Sequence, residues 1–296
     1  MSSLATFAPV LDAVRGIGWP ALRRVRSAVP GPHVSRVRGT TAEFVEYRPY
    51  RQGDEPRKID WKLVARTDRV YIRLSQERAV LPTVLVLDAS ASMGFPAPAN
   101  DKWEHARRIG IGLAEVARQK GDPVGLTVVH PGGTRTVPPR TRRTVLEEMM
   151  HAVDVEPAGA EPLAPGMREA MRRCARLAII TDFLGDADDL LALGRTFVAS
   201  GGELHVIHVV DKGELEPDPR KLLLADPERP ELRRPMSPPA RAEYLRRFAA
   251  WRDALARDWR HAGAVYTMVV PNTESMRGTI RRLTTPSGGA GTRSGR

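Results

Sequence analysis

The sequence has a single cysteine and no long apolar run, and both absences limit what the protein can be. Cys174 has no second cysteine with which to form an intramolecular disulfide or a multi-cysteine zinc site, which fits a reducing compartment. No apolar stretch approaches the roughly 18 residues of a membrane span. The first residues place Asp12 inside their apolar stretch with no basic segment before it, unlike a signal peptide. We expect a cytoplasmic protein without a membrane span.

Several signatures of catalysis and of nucleic-acid binding are also missing. There is no Gly-x-x-x-x-Gly-Lys-Ser/Thr loop, so nucleotide hydrolysis would have to come from a partner. No Gly-x-Ser-x-Gly turn marks a nucleophilic serine. Neither end of the chain carries a helix-turn-helix, zinc-finger or RNA-binding signature. Direct binding of nucleic acid is therefore not expected.

The net charge of the 296 residues is +11, and its distribution matters more than its size. Residues 1–80 carry +7 and residues 212–296 carry +7, whereas residues 81–211 carry −3. A basic surface attracts polyanions only where the charge is concentrated. The pattern favours basic outer surfaces that meet an acidic protein partner, around an acidic centre that holds a cation.

From residue 80 onward, predicted strands and helices alternate, which is typical of an α/β sheet with helices on both faces. The strongest strand, TVLVLD at 83–88, is an unbroken apolar run of the kind buried on both faces of a parallel sheet. The other predicted strands are 124–130, 177–181, 203–210 and 265–270, and the predicted helices are 101–119, 141–153, 165–175, 186–199, 238–261 and 274–283.

We divide the chain into a basic N-terminal appendage (1–79), an α/β domain (80–284) with a proline-rich insertion (211–236), and a disordered tail (285–296). The appendage has two predicted strands, 43–47 and 69–77, joined by a loop rich in Arg, Asp and Pro. Its first part is a short amphipathic pattern that ends at Pro20. That pattern indicates either a segment packed on its own domain, which its shortness favours, or a membrane-surface helix.

Polar residues follow two of the core strands. Asp88, Ser90 and Ser92 come at the end of TVLVLD, and Asp182 follows LAIIT. Ligands in open α/β sheets bind at the carboxyl ends of the strands, near the point where the strand order reverses. One carboxylate with two hydroxyls forms part of a hard-oxygen shell, which suits Mg²⁺ or Mn²⁺.

The segment LVLDASASM resembles the Asp-x-Ser-x-Ser signature of von Willebrand factor A-type domains. The resemblance implies a metal-ion-dependent adhesion site in which Asp88, Ser90 and Ser92 bind the ion directly or through water. It also implies a Thr from a second loop and an Asp from a third, the latter matched by Asp182. Glu161 stands where the Thr is expected, so it is either a ligand itself or the mark of a degenerate site.

The segment from Glu43 to Arg73, EFVEYRPYRQGDEPRKIDWKLVARTDRVYIR, resembles the signature of a bacterial family of unknown function. In that family a basic N-terminal region precedes a von Willebrand A-like domain, and the members are commonly encoded beside MoxR-type AAA+ ATPases. The resemblance implies a doubly wound, mostly parallel sheet and a non-enzymatic adaptor or scaffold. It implies a MoxR-type AAA+ ATPase as partner, in the assembly or remodelling of other proteins.

The residue types of this loop also have a direct physical interpretation. Gly53-Asp54 permits a tight turn, and arginines can donate in pairs to carboxylates. One hypothesis is an internal salt-bridge network that clamps the loop, and the other is a partner-binding face. The residues in question are Arg48, Arg51, Asp54, Arg57, Asp60 and Trp61.

An alternative function is a Mg²⁺-dependent phosphohydrolase of haloacid-dehalogenase type. An Asp after an apolar strand and the segment GDADD, with Asp186 and Asp189, resemble its motifs. The general acid of that family would stand at position 90, which is Ser here, and a hydroxyl cannot protonate a leaving group near neutral pH as a carboxyl can. The sequence therefore favours the non-enzymatic interpretation.

Overall fold

The computed structural model describes residues 3–22, 43–54, 56–76, 80–220, 223–225, 233–235 and 237–285. The chain forms two compact units, one of residues 1–23 with 81–296 and the other of residues 24–80. Within the described ranges, no helix has the length and apolar character needed to cross a membrane. Residues 286–296 of the predicted tail lie outside the described part.

The helices and strands are named here in chain order. They are α1 (Ser3–Ala13), β1 (Glu43–Pro49), α2 (Trp61–Thr67), β2 (Tyr71–Gln76), β3 (Thr83–Asp88), α3 (Asp101–Gln119), β4 (Val124–Val129), β5 (Arg135–Arg140), α4 (Thr144–Ala152), α5 (Ala164–Met171), β6 (Arg176–Thr181), α6 (Ala187–Ala199), β7 (Glu203–Val209), α7 (Lys212–Leu215), β8 (Leu223–Ala225), β9 (Arg233–Pro235), α8 (Pro238–His261), β10 (Val265–Val269) and α9 (Met276–Thr284).

The larger unit is built on a six-stranded sheet in the order β10-β7-β6-β3-β4-β5. Every neighbouring pair is parallel except β4 and β5, which are antiparallel. The chain winds outward from β3 through β4 to β5, and then outward from β6 through β7 to β10. This is a doubly wound sheet whose switch point lies between β3 and β6. The predicted mostly parallel α/β sheet is confirmed.

Helices cover both faces of this sheet because its central strands are apolar on both sides. On β3, Leu85 and Leu87 belong to one buried cluster, whereas Val84 and Val86 belong to another. The first cluster includes apolar side chains of α1, α3, α4 and α9, and the second includes those of α5, α6 and α8. Two helical layers therefore enclose the sheet and leave its carboxyl edge as the place for polar groups.

The N-terminal segment packs on the larger unit. Phe7 and Val10 of α1 and Val14 and Trp19 after it are all buried, and α1 contacts α3, α4 and α9. The structure thus groups residues 1–23 with residues 81–296, whereas the division drawn from the sequence placed them in the appendage of residues 1–79. The reason is that the apolar stripe of α1, although short, fits between three helices of one layer.

Two other regions differ from the pattern drawn from the sequence. The pattern does not predict β5, which contains Pro138 and Pro139 and is exposed over most of its length. Residues 211–236 contain the short helix α7 and an antiparallel pair of strands, β8 and β9. Prolines mark interruptions in a sequence, but they are also compatible with edge strands and short hairpins.

The smaller unit contains an antiparallel pair of strands, β1 and β2, with helix α2 between them in the chain. The pairing has a shift in register between Phe44 and Glu46. A short 3₁₀ turn, Pro56–Lys58, precedes α2, and Ile59 forms a single bridge to Ile72. The two strands predicted on either side of the Arg- and Asp-rich loop are therefore present and paired.

Candidate functional site

The candidate site lies at the carboxyl edge of the sheet, at the switch point between β3 and β6. Asp88 is the last residue of β3, and Asp182 directly follows the last residue of β6. The two strand ends are joined by the Thr181 hydroxyl, which donates to Oδ2 of Asp88 at 2.6 Å. Asp88, Thr181 and Asp182 are all buried. The structure thus brings together the two aspartates that the sequence places after separate strands.

The two serines extend the site along the loop after β3. The backbone N–H of Ser90 donates to Oδ1 of Asp88 at 2.9 Å, which holds the carboxylate at the start of the turn. The hydroxyls of Ser90 and Ser92 lie 3.1 Å apart, and both side chains are buried. Asp88, Ser90 and Ser92 therefore form one cluster of hard oxygen atoms.

The environment of Asp88 opposes its ionisation. Burial raises the pKa of this carboxyl, and the negative charge of Asp182 raises the pKa further, to about 6; burial is the larger of the two effects. The hydrogen bonds from Thr181 and Ser90 act in the opposite direction because they favour the charged form. A cation beside Asp88 would stabilise the carboxylate against both unfavourable effects.

A second loop runs alongside the serines. The Ala158 N–H donates to the carbonyl of Ala89 at 3.0 Å, and the Ala91 N–H donates to the carbonyl of Gly159 at 2.8 Å. Gly159 has a φ of +60°, and a Cβ at this position would lie 2.4 Å from Cγ of Pro131, so only glycine fits. Glu161 is two residues further along this loop, and its side chain is exposed.

The site also contains a buried basic residue, Lys102, that no motif in the sequence marks. Its side chain is 0% exposed, and its Nζ lies 2.7 Å from Oδ2 of Asp182 and 2.9 Å from Oε1 of Glu214. Burial lowers the pKa of Lys102, but the two carboxylates more than offset this and hold it above its ordinary value. Lys102 is therefore a charged ammonium fixed inside the protein.

Glu214 is held in place from the opposite side. It lies in α7, where its Oε2 accepts a hydrogen bond from the Asp211 N–H at 2.6 Å and the Asp211 side chain accepts one from the Gly213 N–H. The carbonyl of Glu214 accepts a hydrogen bond from the Tyr244 hydroxyl at 3.0 Å. Burial raises the pKa of Glu214, while Lys102 lowers it. This acid comes from the proline-rich stretch that the sequence marks only as an insertion.

The turn after β6 is shaped around Asp182. Phe183 has a φ of +59°, an unusual conformation for an aromatic residue, and its ring is buried against His208 and Trp259. The Phe183 N–H donates to the Thr181 hydroxyl, and the Leu184 N–H donates to Oδ1 of Asp182 at 3.2 Å. The packing of the Phe183 ring stabilises a backbone conformation that directs two N–H groups back towards the site.

The acidic segment GDADD lies after this turn. Asp186 accepts a hydrogen bond from the Ala164 N–H at 2.8 Å and so holds the beginning of α5. Asp188 and Asp189 lie in the first turn of α6, where the helix dipole favours negative charge. Each of these acids thus has a structural place at a helix N-terminus.

In the smaller unit, the six candidate partner-binding residues fall into two groups. Asp54 pairs with the Arg48 guanidinium at 2.7 Å and accepts the Arg51 N–H at 2.8 Å. Asp60 caps α2 by accepting from two backbone N–H groups, and it also accepts from the Tyr47 hydroxyl. The side chains of Arg51, Arg57 and Trp61 are exposed, Trp61 to 67%. The paired residues fit an internal network that clamps the loop, whereas the exposed ones are available for binding a partner.

The donor set fits a small hard cation at Asp88, Ser90 and Ser92, because all three side chains offer oxygen and waters can complete an octahedral shell. Asp182 is less suited to a metal, since its Oδ2 is already paired with the Lys102 ammonium group. Among the described residues, no group of three or more His, Cys, Asp or Glu side chains could hold a metal. A cation here would thus depend on the serine hydroxyls and on waters.

Relatives of this chain are themselves without an assigned function. The uncharacterized protein Rv1480 of Mycobacterium tuberculosis is 29% identical over 261 residues, which cover 85% of this chain and 82% of the relative. Among solved structures, BatB of Bacteroides thetaiotaomicron aligns with a TM-score of 0.45 and 16% identity, over 68% of this chain and 95% of that one. The SpRpn10 VWA domain aligns with a TM-score of 0.41 and 13% identity, over 70% and 96%.

A family model described as a protein of unknown function, DUF58, matches residues 46–254. The match begins in β1 and ends in α8, so it spans part of the smaller unit and most of the doubly wound sheet. The Asp-x-Ser-x-Ser segment, which resembles the signature of von Willebrand factor A-type domains, follows the central strand of this sheet. The chain therefore belongs to the DUF58 family and has a von Willebrand A-like domain of unknown function.

Proposed function

We propose that this protein is a non-enzymatic, protein-binding adaptor of the cytoplasm whose carboxyl-edge site holds Mg²⁺ or Mn²⁺ and presents it to a partner. The observation that carries the proposal is the cluster of Asp88, Ser90 and Ser92 oxygens at the switch point of the sheet. Mg²⁺ usually keeps several waters and binds one or two carboxylates. An acidic side chain of a partner could replace one of those waters.

The charge of the site supports a cation. Two carboxylates, Asp182 and Glu214, pair with the ammonium group of Lys102, and a third, Asp88, lies close enough to Asp182 for the two charges to interact. His208, the nearest histidine, has its pKa lowered by burial to about 4 and is neutral near pH 7. The site therefore keeps an excess of negative charge, and among the described residues no basic side chain pairs with Asp88.

Two residues support the non-enzymatic part of the proposal, Ser90 and Asp186. Ser90 stands where a phosphohydrolase of the haloacid-dehalogenase type would have its general acid. Asp186, which resembles a metal ligand of that family, accepts a hydrogen bond from the start of α5. A hydroxyl near neutral pH is a poor proton donor. The geometry thus favours binding over phosphoryl transfer.

We assign the partner as a MoxR-type AAA+ ATPase, following the family resemblance of the upstream segment. Arg51, Arg57 and Trp61 of the smaller unit are exposed and offer two guanidinium groups and an indole to that partner. Exposed Trp and Arg side chains are enriched among the residues that dominate binding energies at protein interfaces. Such a surface would bind an acidic face of the ATPase.

The metal part is tested by calorimetric titration of the full chain with Mg²⁺. We expect Asp88→Asn to reduce the affinity at least tenfold, since it removes the carboxylate of the Asp88, Ser90 and Ser92 cluster. Asp188→Asn is the matched control, because it removes an exposed carboxylate from the first turn of α6. Equal binding by the wild type and Asp88→Asn, or no measurable heat from the wild type, would refute the metal site.

The partner part is tested by capture of a purified MoxR-type ATPase on the immobilised full chain, with ATP and Mg²⁺ present. We expect Trp61→Ala to lower capture at least fivefold without changing the unfolding transition, because this side chain is mostly solvent-exposed. Arg195→Ala on α6 serves as an exposed control. Undiminished capture by Trp61→Ala would show that this surface does not bind the ATPase.

The enzymatic alternative has a direct assay. The full chain is incubated with Mg²⁺ and a generic phosphate ester, and phosphate release is followed. We expect no turnover that depends on Asp88. Hydrolysis that disappears in Asp88→Asn would replace the adaptor proposal with a phosphohydrolase.

A further inference from the structure

Lys102 occupies an unusual position for a basic residue. It lies in the first turn of α3, where the helix dipole is unfavourable for a cation, and its side chain is 0% exposed. Transfer of an ammonium group from water to a protein interior costs several kcal/mol unless charged partners compensate. Asp182 and Glu214 are those partners, at 2.7 Å and 2.9 Å. The position of the ammonium group is therefore determined by two carboxylates.

The two carboxylates come from widely separated parts of the chain. Asp182 follows β6, and Glu214 lies in α7, so Lys102 joins three elements through one atom, its Nζ. An ammonium group is a compact point charge with three donors. A divalent cation between the same two carboxylates would also neutralise them and join the same elements, with waters as its remaining ligands.

We propose that Lys102 is a built-in substitute for a metal ion between Asp182 and Glu214. Its ammonium keeps these two acids from binding a divalent cation, so that at this edge of the sheet the cation is left to Asp88 with Ser90 and Ser92. The idea that Lys102 replaces a metal stands on the geometry of its two ion pairs. Only the role left to Asp88 rests on the proposed function.

The substitution Lys102→Met tests this directly because it keeps the length of the side chain and removes the charge. The buried Asp182 and the partly buried Glu214 are then left without their counter-ion, and we expect a divalent cation to take the place of the ammonium. In calorimetric titrations with Mn²⁺, the variant should gain a site at least tenfold tighter than any in the wild type. Lys120→Met, at the exposed end of the same helix, should bind Mn²⁺ as the wild type does.

Two companion variants assign the new site. Lys102→Met combined with Glu214→Gln should lose the gained affinity, since one of the two ligands is gone. Asp182→Asn in the otherwise wild-type chain should weaken Mn²⁺ binding less than Asp88→Asn does, because Lys102 already engages that carboxylate. If Asp182→Asn weakens Mn²⁺ binding as much as Asp88→Asn does, Asp182 is a metal ligand and the inference is wrong.

The folding of Lys102→Met is part of the test. If the variant is unfolded without metal, Mn²⁺ should restore its far-ultraviolet circular dichroism in a saturable titration. A variant that stays unfolded at every Mn²⁺ concentration, or that folds but binds no tighter than the wild type, overturns the inference.

The two proposals fail separately. A wild type that binds no Mn²⁺, beside a Lys102→Met variant that does, removes the metal from the proposed function and supports the role of Lys102. A wild-type site that depends on Asp88, beside a Lys102→Met variant with no gain, leaves the proposed function standing and removes this inference.

Discussion

The larger unit buries a cluster of charged groups at each end of the same parallel strands, and the two clusters are built differently. At the amino ends of β6 and β7, Arg176 pairs with Glu203 at 2.6 Å, and His205 lies 2.9 Å from the same carboxylate. At the carboxyl ends, Lys102 lies between Asp182 and Glu214, with Asp88 close by. One cluster uses a guanidinium group and the other an ammonium group.

The amino-end cluster attaches a segment of chain. Arg176 donates to the carbonyls of Trp19 and Pro20, and its guanidinium lies over the Trp19 ring at 4.4 Å. The other oxygen of Glu203 accepts the Leu22 N–H at 2.9 Å. The planar shape of the guanidinium makes these several contacts possible at once. Arg176 and Glu203 therefore both bind backbone groups of residues 19–22 and hold this segment against the sheet.

The two clusters also differ in charge balance. At the amino end one carboxylate faces one guanidinium, and His205 adds no charge near pH 7 because burial lowers its pKa. At the carboxyl end two carboxylates pair with one ammonium group, and Asp88 adds a third acid beside them. A balanced buried cluster can serve structure alone, whereas the unbalanced one leaves negative charge that a cation can neutralise. The uncompensated negative charge thus lies at the carboxyl end of the sheet, where we propose that the cation binds.

The largest expected effect comes from Arg176→Met. It leaves Glu203 buried without its guanidinium and detaches Trp19 and Pro20, and breaking a buried ion pair in this way costs about 3–5 kcal/mol. The free energy of unfolding from urea titration measures the loss, and added Mn²⁺ should not restore it. Arg173→Met, whose partner Glu169 is half exposed, should cost below about 1 kcal/mol. If Mn²⁺ restores the free energy of unfolding of Arg176→Met, a cation can also bind at the amino end, and the contrast between the two clusters is wrong.

A smaller effect is expected from Thr181→Val at the carboxyl end. The change keeps the shape but removes the hydroxyl that donates to Asp88 and accepts from the Phe183 N–H. Leaving buried polar groups without a partner costs about 1–3 kcal/mol. Urea titration provides the measurement. Thr196→Val, an exposed threonine on α6, is the control and should change stability by less than about 0.5 kcal/mol. An unchanged Thr181→Val would show that Asp88 does not need this donor.

The smallest effect is a pH dependence at the amino end, measured with His205→Gln. Burial lowers the pKa of His205 in the folded protein, so the unfolded state binds more protons below about pH 6.5. Its contribution to stability is therefore present above that pH and is lost as the pH falls. Between pH 7.5 and 5.5, the wild type should lose more stability than His205→Gln does in urea titrations. Equal losses would show that His205 does not titrate on unfolding.

The hydrophobic pattern predicts the central strands and long helices of the larger unit well. Strand β3 agrees with its prediction at both ends, as do α3 and α8, because uninterrupted burial and helical periodicity are strong signals. The short edge strand β5 escapes prediction because its two prolines and its exposure remove the apolar alternation. The packing of α1 on the larger unit depends on contacts with α3, α4 and α9, which are distant in sequence.

At the site, the sequence predicts the residues that directly follow strands and misses those that reach it from helices. Asp88 and Asp182 are predictable because the ends of parallel strands meet at one edge. Lys102 and Glu214 are 112 residues apart, and no local pattern pairs them. The one available signal is a lysine in the first turn of α3, where the dipole does not favour it. Thr181 escapes because it belongs to an apolar strand.

The two edges of the sheet differ in whether another chain could extend them. β5 forms one edge, and Pro138 and Pro139 within it have no N–H to donate to an added strand. β10 forms the other edge and contains no proline, although the Arg282 guanidinium covers its Met268 carbonyl. Prolines on an exposed strand are a known protection against aggregation between sheets. Within this sheet, addition of a strand from another copy of the protein is therefore easier at β10 than at β5.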